Sequence, residues 1–362
     1  MKILFINDYT EKIGGCETYL YNVKTELEKK GHEVIFIGGR IDFSFINRYV
    51  TSFYNFEFKK KINKVIKNES PDIIYARSIV ANISPSFLIV ASKYNVPVVV
   101  NHPRYEQFLP VKINLVNPIK YYEWIRRKFH LFLIKNYVDM HIAQSIFMKK
   151  ILQNYFCESK IIHINHPVFW NQTSTPKKLN VNEKIKILYT GRVVKVKGLQ
   201  YLLDSARILN SKGYTFNIKI VGDGDYKETL LNLVERYKLE KMVTFMGYVE
   251  QNDLINIYNE SHIFISPCIY NETFGLTIVE SLSQGTPVIT TKGGAQQEHI
   301  QDGYNGFLVE KHNSQMIADK IEYLVNNPKI YSEMSKNSIE SSKKYSREEH
   351  LEKLISVFQE LI

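Results

Sequence analysis

Two glutamates eight positions apart, Glu272 and Glu280, flank the start of a short apolar segment and can serve as hydroxyl-gripping carboxylates. Between them stand Phe274, Gly275 and Leu276. The pattern predicts a helix over about 274–284, stopped by Gly285 in the C′ manner, with Pro287 opening the next strand. The free amides of its first turn would attract an anion. Carboxylates that hold hydroxyls beside amides that hold phosphate suit a sugar nucleotide. A second charged group, Arg192 and Lys197, lies five residues apart in GRVVKVKG, with Gly198 leading into a predicted helix over 199–210. Arg binds phosphate oxygens in a two-toothed fork and Lys adds a compact charge, so the pair could neutralise a diphosphate.

Strands are needed to bring these loops together, and short apolar runs supply them at 263–265 and 288–290, at 185–192 (IKILYTGR) and at 217–221. The run IKILYTGR echoes the opening KILFIND, so the second half restarts as the first began: strand, loop, helix. In the first half, strands are expected at KILFIN, 33–37, 73–75, 96–100, 139–145 and 161–164, with a helix from Gly15 whose Tyr19, Val23 and Leu27 share a face. The polar stretch 171–183 has almost nothing to bury and reads as the linker between domains. At 362 residues there is room for two cores.

The string NETFGLTIVE followed by QGTPVI, together with GRVVKVKG, resembles the donor-binding signature of retaining GT-B glycosyltransferases, family 4. The resemblance implies an α/β fold of two facing, Rossmann-like doubly wound domains with an interdomain cleft. The acceptor-side domain would comprise 1–175 plus the last helix, about 346–362, and the donor-binding domain 183–345. It also implies a retaining hexosyltransferase-type enzyme that uses a nucleoside-diphosphate sugar, without cofactor or metal. Arg192, Lys197, Glu272 and His102, which follows the run VPVVV, would be catalytic. Glu280, Phe274, Gly275 and Leu276 would bind the donor, as would Gly15 in the Gly-Gly turn, Gly222 in the turn GDGD and Val249 near the base. Asp223 and Asp225 spell D-x-D, a metal-holding pattern in another architecture; here they are read as a turn. Arg77 and Arg104, just beyond two strands of the first half, are candidates for an acidic acceptor. His141 is expected in the core. GGCE at 14–17 lacks the spacing of a dinucleotide fingerprint, which argues against a dehydrogenase.

Charge is divided unevenly. Residues 1–180 carry 26 Lys and Arg against 14 Asp and Glu, whereas the remainder is close to neutral. Such asymmetry suggests a polyanionic partner, and with no nucleic-acid motif present an anionic membrane surface is favoured over nucleic acid. The basic, aromatic segment 117–136 is expected to be a helix, either lying in a membrane interface or packing in the core; Ile119, Tyr122, Ile125, Phe129 and Phe132 would share its apolar face. Three unpaired cysteines, no signal-peptide pattern and no run near the length of a membrane span suggest a reduced cytoplasmic protein, peripheral at most on the inner membrane face. The acceptor expected is a glycan or lipid-linked molecule of surface-polysaccharide assembly. Two alternatives stay open: a catalytically silent sugar-nucleotide-binding subunit, and an epimerase of the same architecture.

Overall fold

A computed structural model of the chain describes residues 1–11, 15–39, 51–109, 117–171, 173, 175–180 and 183–362. The described chain divides into two compact units, one formed by Met1–Asn165 with Glu348–Ile362, the other by His166–Arg347. Each is built on a six-stranded, wholly parallel sheet flanked by helices, the α/β architecture of GT-B proteins.

In the first unit the strands are β1 (Lys2–Asn7), β2 (Glu33–Gly38), β3 (Ile73–Ala76), β4 (Val98–Asn101), β5 (Met140–Ala143) and β6 (Ile161–His163). Their order is β2-β1-β3-β4-β5-β6. The central strands are near-continuous apolar runs because helices cover both faces of a parallel sheet. Ile3 to Ile6 are fully buried, and the helix Gly15–Lys29 contributes Tyr19, Leu20, Val23 and Leu27. The final helix, Arg347–Leu361, belongs to this unit: Phe358 packs on Tyr75 and His350 Nε2 lies 2.8 Å from the Tyr19 hydroxyl.

The second unit holds β7 (Ile185–Thr190), β8 (Phe216–Val221), β9 (Val243–Gly247), β10 (Ile263–Ser266), β11 (Val288–Thr291) and β12 (Gly306–Val309). Their order is β12-β11-β10-β7-β8-β9. The chain direction across the sheet reverses between β7 and β10. A doubly wound sheet opens its ligand crevice at this switch point, beyond the carboxyl ends of the strands.

The stretch read as a linker departs from expectation. The units meet at Asn165/His166, and the described residues of 171–183 lie along the second unit as a strap. Lys177 Nζ donates to the carbonyls of Tyr258 at 2.6 Å and Ser261 at 2.7 Å and to the Thr286 hydroxyl, while its amide donates to Ser335 Oγ. Burial pulls the Lys177 ammonium down to about 7. Leu179 packs against the core and Thr173 bonds Ser283. Polar side chains anchor the strap, so its composition resembled that of a free linker.

The helix Pro118–Tyr137 forms as expected, but its apolar face is split. Phe129 stacks on Phe53 at 5.1 Å and Tyr122 leans on the same ring, whereas Ile119 and Phe132 are exposed. The residues it buries are His130, Leu133 and Ile134. Among the described residues no helix is long and apolar enough to cross a membrane.

Candidate functional site

The loops after β7 and β10 carry the charged residues singled out above, on either side of the switch point. β7 ends at Thr190, and Arg192 follows two residues later with its side chain exposed and without hydrogen bond or ion pair to a described residue. A single 3₁₀ turn, Lys195–Lys197, then leads through Gly198 to the helix Leu199–Ser211. Gly198 has φ +76°, and a Cβ there would stand 1.9 Å from the Pro267 carbonyl oxygen, so only glycine fits where the two loops cross. The crossing is tied by the Ile269 amide donating to the Val196 carbonyl at 3.0 Å.

That contact brings Lys197 to the loop after β10. Its Nζ lies 2.8 Å from Glu272 Oε1, with both side chains about four-fifths buried. Burial opposes the ammonium charge, but the charge and hydrogen bond of Glu272 outweigh it and leave the Lys197 pKa above its ordinary value. Arg192 is near enough to act on Lys197 in the opposite sense. Glu272 is fixed through its main chain: its amide donates to Gln296 Oε1 at 2.9 Å and its carbonyl accepts from Ala295 at 2.8 Å. The Gly293–Gly294 turn thus backs the Glu272 loop at van der Waals closeness.

The helix begins later than its sequence suggests, at Leu276–Ser283, because Gly275 adopts φ +88° as its N-cap. Phe274 and Gly275 therefore precede the helix. The Phe274 ring is buried against His299 and Tyr345, and the Leu276 side chain is half-buried. The first turn opens at the carboxyl end of β10, in the geometry that receives an anion.

Glu280 sits one turn into this helix. Its Oε2 accepts from the Tyr258 hydroxyl at 3.0 Å, and that hydroxyl is 2.6 Å from Thr190 Oγ1 at the end of β7. Burial pushes the Glu280 carboxyl up to about 8, with Tyr258 only partly offsetting it. A carboxyl that keeps its proton at neutral pH can donate one hydrogen bond and accept another, which is what a pair of sugar hydroxyls requires.

Two further donor-side expectations fall on supporting positions. Gly222 lies against the Gly191 carbonyl, where a Cβ would come within 2.0 Å, and bridges to Gly247. The GDGD segment is a turn: Asp223 Oδ1 accepts the Gly224 amide at 2.8 Å and the Asp223 carbonyl receives the Val193 amide. Val249 is half-buried on the cluster of Leu188, Val221 and Phe264.

In the first unit the predicted residues do not gather at one open surface. Gly15 is exposed at the start of its helix, and Gly14 lies outside the described residues. His102 is interior: Nε2 lies 3.0 Å from His141 Nδ1, Nδ1 lies 3.2 Å from Gln107 Nε2, and Phe108 and Phe156 enclose the rings. Burial lowers His102 to about 3 and His141, next to it, to about 2, so both rings are neutral. Arg77 is buried with its guanidinium 3.9 Å over the Tyr19 ring and one nitrogen donating to Gln144 Oε1. Among the described residues its Nε and Nη1 find no hydrogen-bond partner. Arg104 is exposed and makes no contact of its charge with a described residue.

Tyr258, Thr190, Gln296 and Gln107, which hold the predicted residues in place, carried no sequence signal. Tyr258 stands in an ordinary amphipathic helix, Gln251–Glu260, and only the fold reveals that it faces Glu280.

Comparison with known proteins follows the division of the chain. Residues 171–341 match the family Glycosyl transferases group 1, and residues 13–168 match Glycosyltransferase Family 4. A glycosyltransferase of Haemophilus influenzae is 26% identical over 356 residues, 94% of each chain. A capsular polysaccharide biosynthesis glycosyltransferase of Staphylococcus aureus, CapM, is 31% identical over 150 residues, 41% of this chain and 39% of that one. Among solved structures, Anabaena HepE in complex with UDP superposes with a TM-score of 0.76 at 19% identity, over 99% of this chain and all of that one. Sucrose-phosphate synthase of Thermosynechococcus elongatus gives 0.78 at 17% identity, over 99% and 98%. At such identities the structural likeness establishes the fold.

Proposed function

Because the chain belongs to the GT-B glycosyltransferases of family 4, we propose that it is a retaining enzyme moving a hexose-type sugar from a nucleoside diphosphate to an acceptor hydroxyl. The observation that carries this reading is the meeting of Lys197 and Glu272 at the switch point of the second unit, with Arg192, the Leu276 helix start and Glu280 on the same loops.

In this reading the donor diphosphate displaces the ion pair. Lys197 and the free fork of Arg192 neutralise the charge that grows on the departing phosphate, with help from the amides ahead of Leu276. Glu272, released from Lys197, turns to the hydroxyls of the donor sugar. Glu280 and Tyr258 hold the ribose. The acceptor oxygen attacks from the face that the phosphate leaves, and a phosphate oxygen takes its proton, so the configuration at the sugar carbon is retained. No step in the reading uses a metal. His102, neutral and hydrogen-bonded to Gln107, would contribute by holding Gln107 in place rather than by moving a proton.

The first unit, with Arg77, Arg104 and the excess of basic residues, would receive a glycan or lipid-linked acceptor at the inner face of a membrane. CapM of Staphylococcus aureus, named for capsular polysaccharide biosynthesis, supports a role in surface-polysaccharide assembly, and HepE with UDP supports a uridine donor.

Thermal-shift titration with UDP-, GDP-, ADP-, CMP- and dTDP-sugars in EDTA tests the donor reading, and proton NMR of the product anomer tests retention. A rise with one nucleotide class and an anomer matching the donor are expected. No shift with any donor would favour a silent subunit, and conversion of donor without acceptor would favour an epimerase.

A further inference from the structure

A cavity of about 270 Å³ opens in the first unit between the segment after β4 and the helix Pro118–Tyr137, lined by Val80, Arg104, Glu106, Gln107, Arg126, Arg127 and His130 together with Leu131 and Ile134, so that one carboxylate stands among three guanidinium groups. Three guanidinium groups converge there and none forms an ion pair with a described residue. Arg126 Nη1 donates to the Val80 carbonyl at 3.1 Å while its Nε is buried without a hydrogen-bond partner among the described residues. Arg127 Nη1 donates to the Glu106 and Leu109 carbonyls at 2.9 and 3.2 Å. Main-chain oxygens thus fix the two forks in place without neutralising them. His130 adds no charge, since burial and the adjacent Arg126 lower it to about 4 and its Nε2 lies 3.2 Å from the Phe53 carbonyl oxygen.

Burying an unpaired guanidinium donor is costly unless something arrives to accept from it. Forks pinned by carbonyls and left unneutralised are the arrangement that receives a tetrahedral oxyanion in two-toothed contact. The cavity also touches the predicted site, because Gln107 lines it and bonds His102. Its rear wall of Val80, Leu131 and Ile134 is apolar.

We propose that this cavity binds the phosphate ester of the acceptor, with Arg104, Arg126 and Arg127 around the phosphate and the apolar wall against the group it esterifies. The proposal rests on the glycosyltransferase reading only in calling the ligand an acceptor. The ester can come from a lipid phosphate or from a soluble sugar phosphate, and the test separates them.

The experiment is calorimetric titration with geranyl phosphate, geraniol and glucose 1-phosphate, alongside UDP as a probe of the second unit. Geranyl phosphate is expected to bind and geraniol to fail. Arg104→Ala, which removes no contact of the fold, should weaken geranyl phosphate at least about tenfold, the worth of one charge-assisted bond. Arg126→Lys, which keeps the charge and loses the fork, should weaken it by a smaller factor. Glucose 1-phosphate binding as tightly as geranyl phosphate would identify a soluble source, and markedly weaker binding a lipid source. Absence of binding by both phosphates, or binding unchanged in Arg104→Ala and Arg126→Lys, overturns the proposal. UDP binding is expected to survive in both variants, so loss of the donor reading and loss of this site register separately.

Discussion

Replacing Glu280 by Gln should make the second unit more resistant to unfolding above neutral pH while leaving it nearly unchanged below pH 5. The carboxyl, ordinarily near 4.5, is held at about 8 in the fold. Between those values the native state keeps a proton that the unfolded chain has lost, so stability falls as pH rises through that window and is level outside it. At about 1.4 kcal/mol per pKa unit the full penalty is roughly 5 kcal/mol above pH 8. The side chain keeps part of its surface in water, and screening reduces the expected effect to about 2 kcal/mol. Glutamine retains an oxygen to accept from Tyr258 and never ionises. Urea unfolding at pH 5, 6.5, 7.5 and 8.5 measures the difference, which corresponds to roughly a 1 M shift of midpoint at pH 8.5. Trp170 reports the second unit, its ring 5.7 Å from that of Tyr258, once Trp124 has been changed to Phe. Curves for wild type and variant that run parallel across the whole range would refute the argument, because they would mean that Glu280 ionises as freely in the fold as in the unfolded chain.

Arg192→Ala and Lys197→Ala should each cut turnover by about a hundredfold or more, the size of effect typical for loss of one oxyanion stabiliser, with unchanged circular dichroism; near-normal rates in both would remove the leaving-group role. Gly198→Ala should cost at least about 2 kcal/mol of stability, since the position combines φ +76° with a 1.9 Å approach to the Pro267 oxygen; an unaltered melting temperature would count against the loop crossing. The protein should sediment with vesicles containing anionic lipid, with partitioning that falls as salt rises from 0.05 to about 0.5 M; equal binding to neutral vesicles would defeat the electrostatic argument.

The second unit was legible because its chemistry is local in sequence. Arg192 and Lys197 occupy one loop, Glu272 and Glu280 one loop and helix, and the apolar runs that became β7 and β10 each lead directly into one of them; the switch point then joins two motifs that were already complete. The partners that tune them were not legible. Tyr258 reaches Glu280 across 22 positions, Gln296 reaches Glu272 across 24, and neither residue type announces such a contact. The strap at 171–183 was misread for a related reason. Sequence patterns register apolar burial, and among the described residues of this segment the side-chain anchor of most bonds is one lysine that gives up its solvation to bond two carbonyls and a hydroxyl.

His102 shows where motif position and physical environment part. Its place after β4 matches the expected donor-sugar ligand, yet both ring nitrogens are occupied and aromatic rings enclose it. A neutral imidazole in that setting cannot serve as an acid near pH 7, because protonating it would bury a charge beside His141 and no carboxylate faces it among the hydrogen bonds it makes. What it can do is hold Gln107, and through Gln107 one wall of the arginine-lined cavity. If His102 is a positioning residue, His102→Ala should raise the KM for acceptor more than it lowers kcat, and His102→Asn, which can still bond Gln107, should recover most of the loss. A fall in kcat alone, with acceptor KM unchanged in both variants, would place the imidazole on the donor sugar instead.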